Sequence, residues 1–268
     1  MQRLFPPIVL IIVLIVVACA PEHYPVDIGF EVRLHGEPIS CADGINGVQL
    51  TDLRFYVSEV RLRDTEGAWQ ALTMAEDDTW QRDGVALIDL EDGQGACLNG
   101  TSAMNAVLRG SLPAAPGTGL AFTIGVPYSL NHVDPLSAAA PLSYTIMHWH
   151  WASGYKFIRA GVETKGDGYF LHLGSNRCEG TIGDIKGCIG DNRPNVALDH
   201  FRPDGTTVVV LDIGVLFAGV DLEDGTDGRC MSGPSNPQCE APFRALGIDF
   251  QSGTSVASPP AISAEPNR

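Results

Sequence analysis

The stretch MHWHWASGYKF, Met147 to Phe157, alternates one residue type with another as a β-strand does. With a period of two, Met147, Trp149, Trp151, Ser153, Tyr155 and Phe157 share one face, and His148, His150, Ala152 and Lys156 share the other. The pattern predicts a strand over 143–158. Similar stretches flank it on both sides: Ile28 to Leu34, Leu53 to Leu62, Val85 to Leu90, Leu120 to Val126, Tyr169 to Leu173 and Val208 to Leu216. Clusters of Gly, Pro, Asp and Asn separate them, which is turn chemistry. Asn105 to Gly110 fits a short helix or another strand, and Phe243 to Leu246 a helical turn. No heptads and no solenoid-length repeats occur. The fold expected is all-β, a single β-sandwich (immunoglobulin-like or related) over residues 27–250 with long disulfide-stapled loops. Residues 251–268, rich in Ser, Pro and Ala, read as a flexible tail.

The composition agrees. The chain has 268 residues, 44% of them hydrophobic, which excludes a disordered chain, and its 30 Gly and 18 Pro disfavour a helical bundle. Its 17 Lys+Arg against 32 Asp+Glu give a net charge of −15. No basic face is available for a polyanion, so nucleic acid is not a partner.

The N-terminus reads as an export signal over residues 1–18. Arg3 precedes an unbroken apolar run from Ile8 to Val17, too short for a stable membrane span. Val16-Val17-Ala18-Cys19 resembles a bacterial lipobox, which would make Cys19 the lipidated first residue of the mature chain and 19–26 its linker. Plain cleavage near Ala20 is the alternative. Ala20 does not resemble an inner-membrane retention signal, so the expected location is the periplasm, with a lipid anchor in the outer membrane.

Six further cysteines remain: Cys41, Cys97, Cys178, Cys188, Cys230 and Cys239. An even count in an exported chain reads as three disulfides. Cys178/Cys188 and Cys230/Cys239 suit local staples and Cys41/Cys97 would pair by default, though six cysteines permit about 15 pairings. A zinc site built from four of them is disfavoured, because no C-x-x-C pair is present. The two DLEDG turns, Asp89 to Gly93 and Asp221 to Gly225, depart from the EF-hand pattern and read as exposed acidic turns.

Metal chemistry is the strongest functional signal. His148 and His150, two apart in a strand, point the same way and could approach one ion, and neutral imidazole suits copper, zinc, iron or nickel. A strand with a core aromatic face and solvated histidines would give the same spacing. His132 in SLNHVDP and His172 in FLHLGS sit in loop-like settings, while His23, His35 and His200 carry less. No G-x-S-x-G, H-E-x-x-H, P-loop or C-x-x-C-H motif appears. A triad assembled in space stays open, but the chain is expected to be no enzyme.

Six segments together carry a family resemblance: RFYVSEVRL (Arg54 to Leu62), GVPYSLNHVDP (Gly125 to Pro135), the PLS…M-x-W-x-W-x-SGYKFIR segment (Pro141 to Arg159), HLGSNRC (His172 to Cys178), NRPNVALDHF (Asn192 to Phe201) and CMSGPSNPQCEAPFRALGID (Cys230 to Asp249). In this order they resemble the MbnP-like proteins, named for a methanobactin-associated copper-binding protein and also called metallo-mystery-pair proteins with a four-Cys motif. Cys178, Cys188, Cys230 and Cys239 would be those four. The resemblance implies a periplasmic copper protein paired with a di-haem enzyme similar to cytochrome c peroxidases. That partner oxidises a tryptophan to kynurenine, which joins histidines at the copper. Carried over by motif, the tryptophan is Trp149 or Trp151 and the histidines are His132 and His172, with His148 and His150 a second-rank pair. Asp134 is the nearest carboxylate that could orient a ligand histidine. The competing reading is a metal-free, lipid-anchored sandwich that binds a ligand or protein through Trp149, Trp151 and Tyr155.

Overall fold

A computed structural model describes residues 23–164, 167–220 and 228–268. The signal segment, Cys19 and the second DLEDG turn lie outside the described residues. Two open sheets form the body. The first runs Ile262–Pro266, Thr207–Asp212, Tyr24–Leu34, Val107–Leu112, Thr73–Met74 from edge to edge. The second runs Asn195–Leu198, Pro116–Ile124, Val48–Asp64, Gly154–Thr164, Asp167–Gly174, Arg229–Cys230, with His148–His150 paired onto Gly154–Thr164 and Val85–Asp89 onto Val48–Asp64. The helices are short, and among the described residues none is long and apolar enough to cross a membrane.

The central strand Val48–Asp64 is buried without a break from Leu53 to Ser58, polar residues included, because both its faces are covered. Phe55 points toward the first sheet and meets Phe30 edge-to-face at 5.7 Å, and Phe30 meets Phe122 at 6.0 Å. Burying each such ring contributes about 1.5–3 kcal/mol. Tyr56, one residue on, points the opposite way into a second apolar cluster with Val85, Leu87, Met147, Tyr155 and Phe157. Its hydroxyl donates to the Pro141 carbonyl (3.1 Å), and that of Tyr155 to the Leu142 carbonyl (2.7 Å). These two bonds tie the 126–147 segment over the outer face of the second sheet, where the candidate site lies.

The all-β, sandwich-like architecture and three disulfides match expectation, and the pairs are Cys41–Cys97, Cys178–Cys188 and Cys230–Cys239. Other boundaries differ. The first strand starts at Tyr24, so the end of the expected 19–26 linker is already in the sheet, paired with Val107–Leu112. Asn105–Gly110 resolves as strand from Val107. The 208–216 strand ends at Asp212, whose carboxylate accepts from the Gly214 and Val215 amides (2.8 and 3.2 Å) and caps a helical turn, Ile213–Leu216. The expectation of a flexible 251–268 tail fails for its end. Ile262–Pro266 is an edge strand antiparallel to Thr207–Asp212, with Ala261 and Ile262 buried. Two apolar residues and an unpaired edge outweigh the Ser/Pro composition.

Candidate metal centre

The aromatic-histidine stretch is a tight hairpin, not one long strand. His148 lies opposite Tyr155 and His150 opposite Gly154, with a register shift between the two. The chain turns at 151–153, where the Ser153 amide donates to the His150 carbonyl (3.0 Å). Gly154 has φ +73°, and the Asn131 carbonyl fills the space a Cβ would need. A residue other than glycine would meet both the strained backbone and that carbonyl. The turn overturns the single-face parity expected for 147–157. His148 stands edge-on to Tyr155 (5.3 Å), whereas Trp149 projects toward the neighbouring strand.

There Trp149 meets His172. The rings are 6.2 Å apart at 84°, and Gly174, two residues beyond His172, leaves room for the indole. Phe170 packs on the other ring contact at 4.9 Å. Burial, followed by the nearby charges of Arg159 and Lys156, pushes the His172 pKa down to about 3, so the ring is neutral. Its buried Nδ1 has no hydrogen-bond partner. The His172 backbone is fixed from behind: its carbonyl accepts from Ser232 Oγ (2.7 Å), which itself accepts from the Gly174 amide (2.6 Å). Asn192 Nδ2 donates to the Gly174 carbonyl (2.8 Å).

His132 ends the helical turn Tyr128–Asn131. Its Nδ1 lies 3.4 Å from the Trp151 carbonyl, its ring is edge-on to Tyr128 at 5.6 Å, and its Nε2 is 3.7 Å from Cys188 Sγ. Burial lowers its pKa, opposed by the bond to the Trp151 carbonyl. Its neighbour Asn131 organises the region. The Asn131 side chain accepts from the Tyr155 amide (3.0 Å) and donates toward Ser175 Oγ (3.2 Å) and the Ser153 carbonyl (3.4 Å). Asn131 thereby joins three segments that sequence reasoning treated separately. The only sequence sign of its role was its place beside His132.

The remaining candidates fall elsewhere. Asp134 accepts from the Leu136 amide (3.0 Å) and shapes its own turn, with no bond to a histidine among the described residues. The Trp151 carbonyl takes the orienting role expected of it. His150 is exposed, its Nδ1 accepts from the Ala152 amide (3.3 Å), and its ring lies 5.3 Å from that of Trp151. Burial, then Lys156, lowers the His148 pKa. The four histidines do not form one donor cluster. Among the described residues, the group of three or more His, Cys, Asp or Glu donors lying within 4.8 Å of one another is His132, Cys178 and Cys188.

Two cations, absent from the sequence-based site, brace the hairpin. Lys156 Nζ donates to the Ile146 and His148 carbonyls (2.9 and 3.0 Å), and burial pushes its pKa down to about 8. Arg159 donates to the Ile146 carbonyl (3.1 Å) and through Nε to Asp52 (2.7 Å). Asp52 also pairs with Arg54 (3.2 Å), and Arg54 with buried Glu91. A cavity of about 540 Å³, lined in part by Asp52, Leu98, Arg159 and Phe170, reaches His172. A second, of about 580 Å³ beside Glu59 and Pro127, holds none of the candidate residues.

The fold and site define a disulfide-pinned β-sandwich with a histidine–tryptophan centre on one outer face, and its three closed disulfides belong to an oxidising, extracytoplasmic compartment. The family model described as MbnP matches residues 23–232, and the chain belongs to the MbnP family. Among solved structures it is similar to MbnP from Methylosinus trichosporium, with TM-score 0.79 and 27% identity, covering 92% of this chain and 100% of that one. No curated protein matches it.

Proposed function

We propose that the chain is a copper-binding protein of the periplasm, lipid-anchored at Cys19 to the outer membrane, and that it stores, carries or scavenges copper without catalysing a reaction. His172 carries the proposal. Its ring is neutral, and its buried Nδ1 is unmatched beside an indole. An orphaned buried nitrogen costs about 1–3 kcal/mol unless something satisfies it, and neutral imidazole suits copper. His172 therefore offers the ion a neutral, unpartnered nitrogen. By the family motif His132 would supply the second, and copper would be the cargo.

Trp149 is the better choice than Trp151 for oxidation to kynurenine by a di-haem partner similar to cytochrome c peroxidases. Its indole lies against His172, whereas Trp151 is exposed and packs on His150. Opening the indole would give it amine and ketone donors. His148 and His150 stay second-rank, because the His150 Nδ1 already accepts the Ala152 amide.

The test is copper analysis and peptide mapping of protein co-produced with the haem partner. The expected result is retained copper, a modified Trp149 and loss of copper in His172→Ala. Protein carrying a modified tryptophan but no copper above background would overturn the proposal. The metal-free sandwich would then stand, with Trp151 exposed but Tyr155 buried and so lost from the contact face expected of it.

A further inference from the structure

The disulfide Cys178–Cys188 joins directly opposed residues of an outlying hairpin, Asn176–Thr181 and Asp184–Gly190, so both sulfurs emerge on one face. That face meets His132. Cys188 Sγ is 3.7 Å from His132 Nε2, and both sulfurs fall within 4.8 Å of a ring nitrogen of His132. The groups around the ring favour one tautomer. Nδ1 faces the Trp151 carbonyl and Nε2 faces the Asn131 amide group, both at 3.4 Å. A neutral ring protonated on Nδ1 donates to the Trp151 carbonyl and leaves the single Nε2 lone pair on the side of the Asn131 amide and Cys188 Sγ, where an ion would displace the long Asn131 contact. A metal-binding histidine is oriented in the same way, its other nitrogen donating to a carbonyl.

We propose that reduction of Cys178–Cys188 by a dithiol creates a Cys2His site with His132 for a thiophilic d10 ion, Zn2+ or Cu(I). The dithiol supplies two electrons and two protons and becomes a disulfide; the S–S bond breaks and two thiols form. Metal binding then displaces the two thiol protons. The spacing suits it. Tetrahedral bonds of about 2.0–2.1 Å to nitrogen and 2.3 Å to sulfur put N and S about 3.6 Å apart, close to the separation already present. The released sulfurs need only swing apart on their own side chains, to about 3.8 Å.

Reduction at this pair would be selective. Cys178 and Cys188 are partly exposed, whereas Cys41, Cys97, Cys230 and Cys239 are buried in the core. Exposed disulfides are the labile ones. The site goes beyond the copper reading and needs neither His172 nor an oxidised tryptophan, though it draws on the same His132. The state of the disulfide would decide which site holds that imidazole.

The experiment treats the purified protein with a dithiol, maps the free thiols and titrates Zn2+ against a chromophoric chelator, with Co2+ as a spectroscopic probe of thiolate ligation. Expected are free thiols at Cys178 and Cys188, dithiol-dependent capture of one ion, and a thiolate-to-cobalt charge-transfer band. His132→Ala should weaken capture by at least about tenfold, and Cys178→Ser/Cys188→Ser should abolish it. Alkylating the reduced wild-type chain should abolish it too, without a mutation that could disturb folding. Reduced protein that captures no more zinc than the alkylated form, or His132→Ala that captures it equally well, would overturn the proposal. Copper retention by the oxidised protein reports the histidine–tryptophan site alone, so either reading can fail without the other.

Discussion

The indole of Trp149 stands edge-on to the imidazole of His172, 6.2 Å between ring centres, in the space left by Gly174. The two residues come from different strands, His148–His150 and Asp167–Gly174, each of which pairs with Gly154–Thr164. Gly174 sets the approach: a Cβ there would sit 2.6 Å from the Tyr155 carbonyl oxygen and 3.4 Å from Trp149 Cε3.

Gly174→Ala should therefore destabilise the fold by about 1–3 kcal/mol, the usual cost of overpacking, and tilt the indole away from His172. Denaturant midpoints give the first quantity and near-UV circular dichroism the second. An unchanged midpoint with an unchanged aromatic spectrum would contradict the contact.

His172 should make stability depend on pH in a defined window. Its folded pKa, about 3, lies below that of an unfolded histidine, about 6.5. Between those values the unfolded chain binds the extra proton, so this contribution is full above about 6.5 and is lost as pH falls toward 3. His172→Gln should flatten that part of the profile. An identical slope in the variant would show the ring titrates normally.

The strands were legible where side chains obey a period of two within one segment, and the staples where cysteines are close in sequence. The hairpin at 148–157 was not, because its turn depends on a carbonyl from Asn131 packing onto Gly154 across 23 positions of chain. Reading that stretch as one straight strand put Trp149 with Tyr155, whereas the turn puts His148 there. The roles of Ser232 and Arg159 were equally hidden. Each acts through backbone carbonyls, which leave no residue pattern to read. His132, His172 and Trp149 were found through family motifs, and the structure then separated their surroundings.

Asp52→Ala should be among the more damaging single changes. Asp52 bonds Arg159 and pairs with Arg54, and all three are largely buried. Removing one partner of a buried pair costs about 3–5 kcal/mol, because the remaining charge is left uncompensated. Arg159 would also lose its anchor beneath the Ile146 carbonyl, so the loss should appear in the denaturation midpoint and in the His148 ring environment. A loss under about 1 kcal/mol, the level of an exposed pair, would show that solvent reaches this network.

Deleting 262–268 should expose the edge of Thr207–Asp212, with its unpaired amides and carbonyls. Arg33 would lose the Pro266 carbonyl it donates to at 3.3 Å, and the core would lose the buried Ile262 side chain. The truncated chain should unfold earlier and associate with concentration, as sedimentation would show. A monomer of unchanged stability would return this segment to the status of a tail.

Asn131 separates support from chemistry at His132. Asn131→Ala leaves the buried Tyr155 amide without its partner, at about 1–3 kcal/mol, and removes a donor to the Ser175 hydroxyl, which keeps the Asp191 carbonyl. Asn131→Asp keeps an acceptor for the Tyr155 amide but replaces the donor group near His132 Nε2 with a carboxylate oxygen. A negative charge at that distance favours the imidazolium. The His132 pKa, now lowered by burial, should then rise, and a proton should compete with any metal at that nitrogen as the pH falls below neutrality. Imidazole NMR titration of the two variants checks this: His132 should move upward in Asn131→Asp and not in Asn131→Ala. If both variants shift it equally, the effect is exposure after local loosening, and Asn131 has no electrostatic hold on the ring.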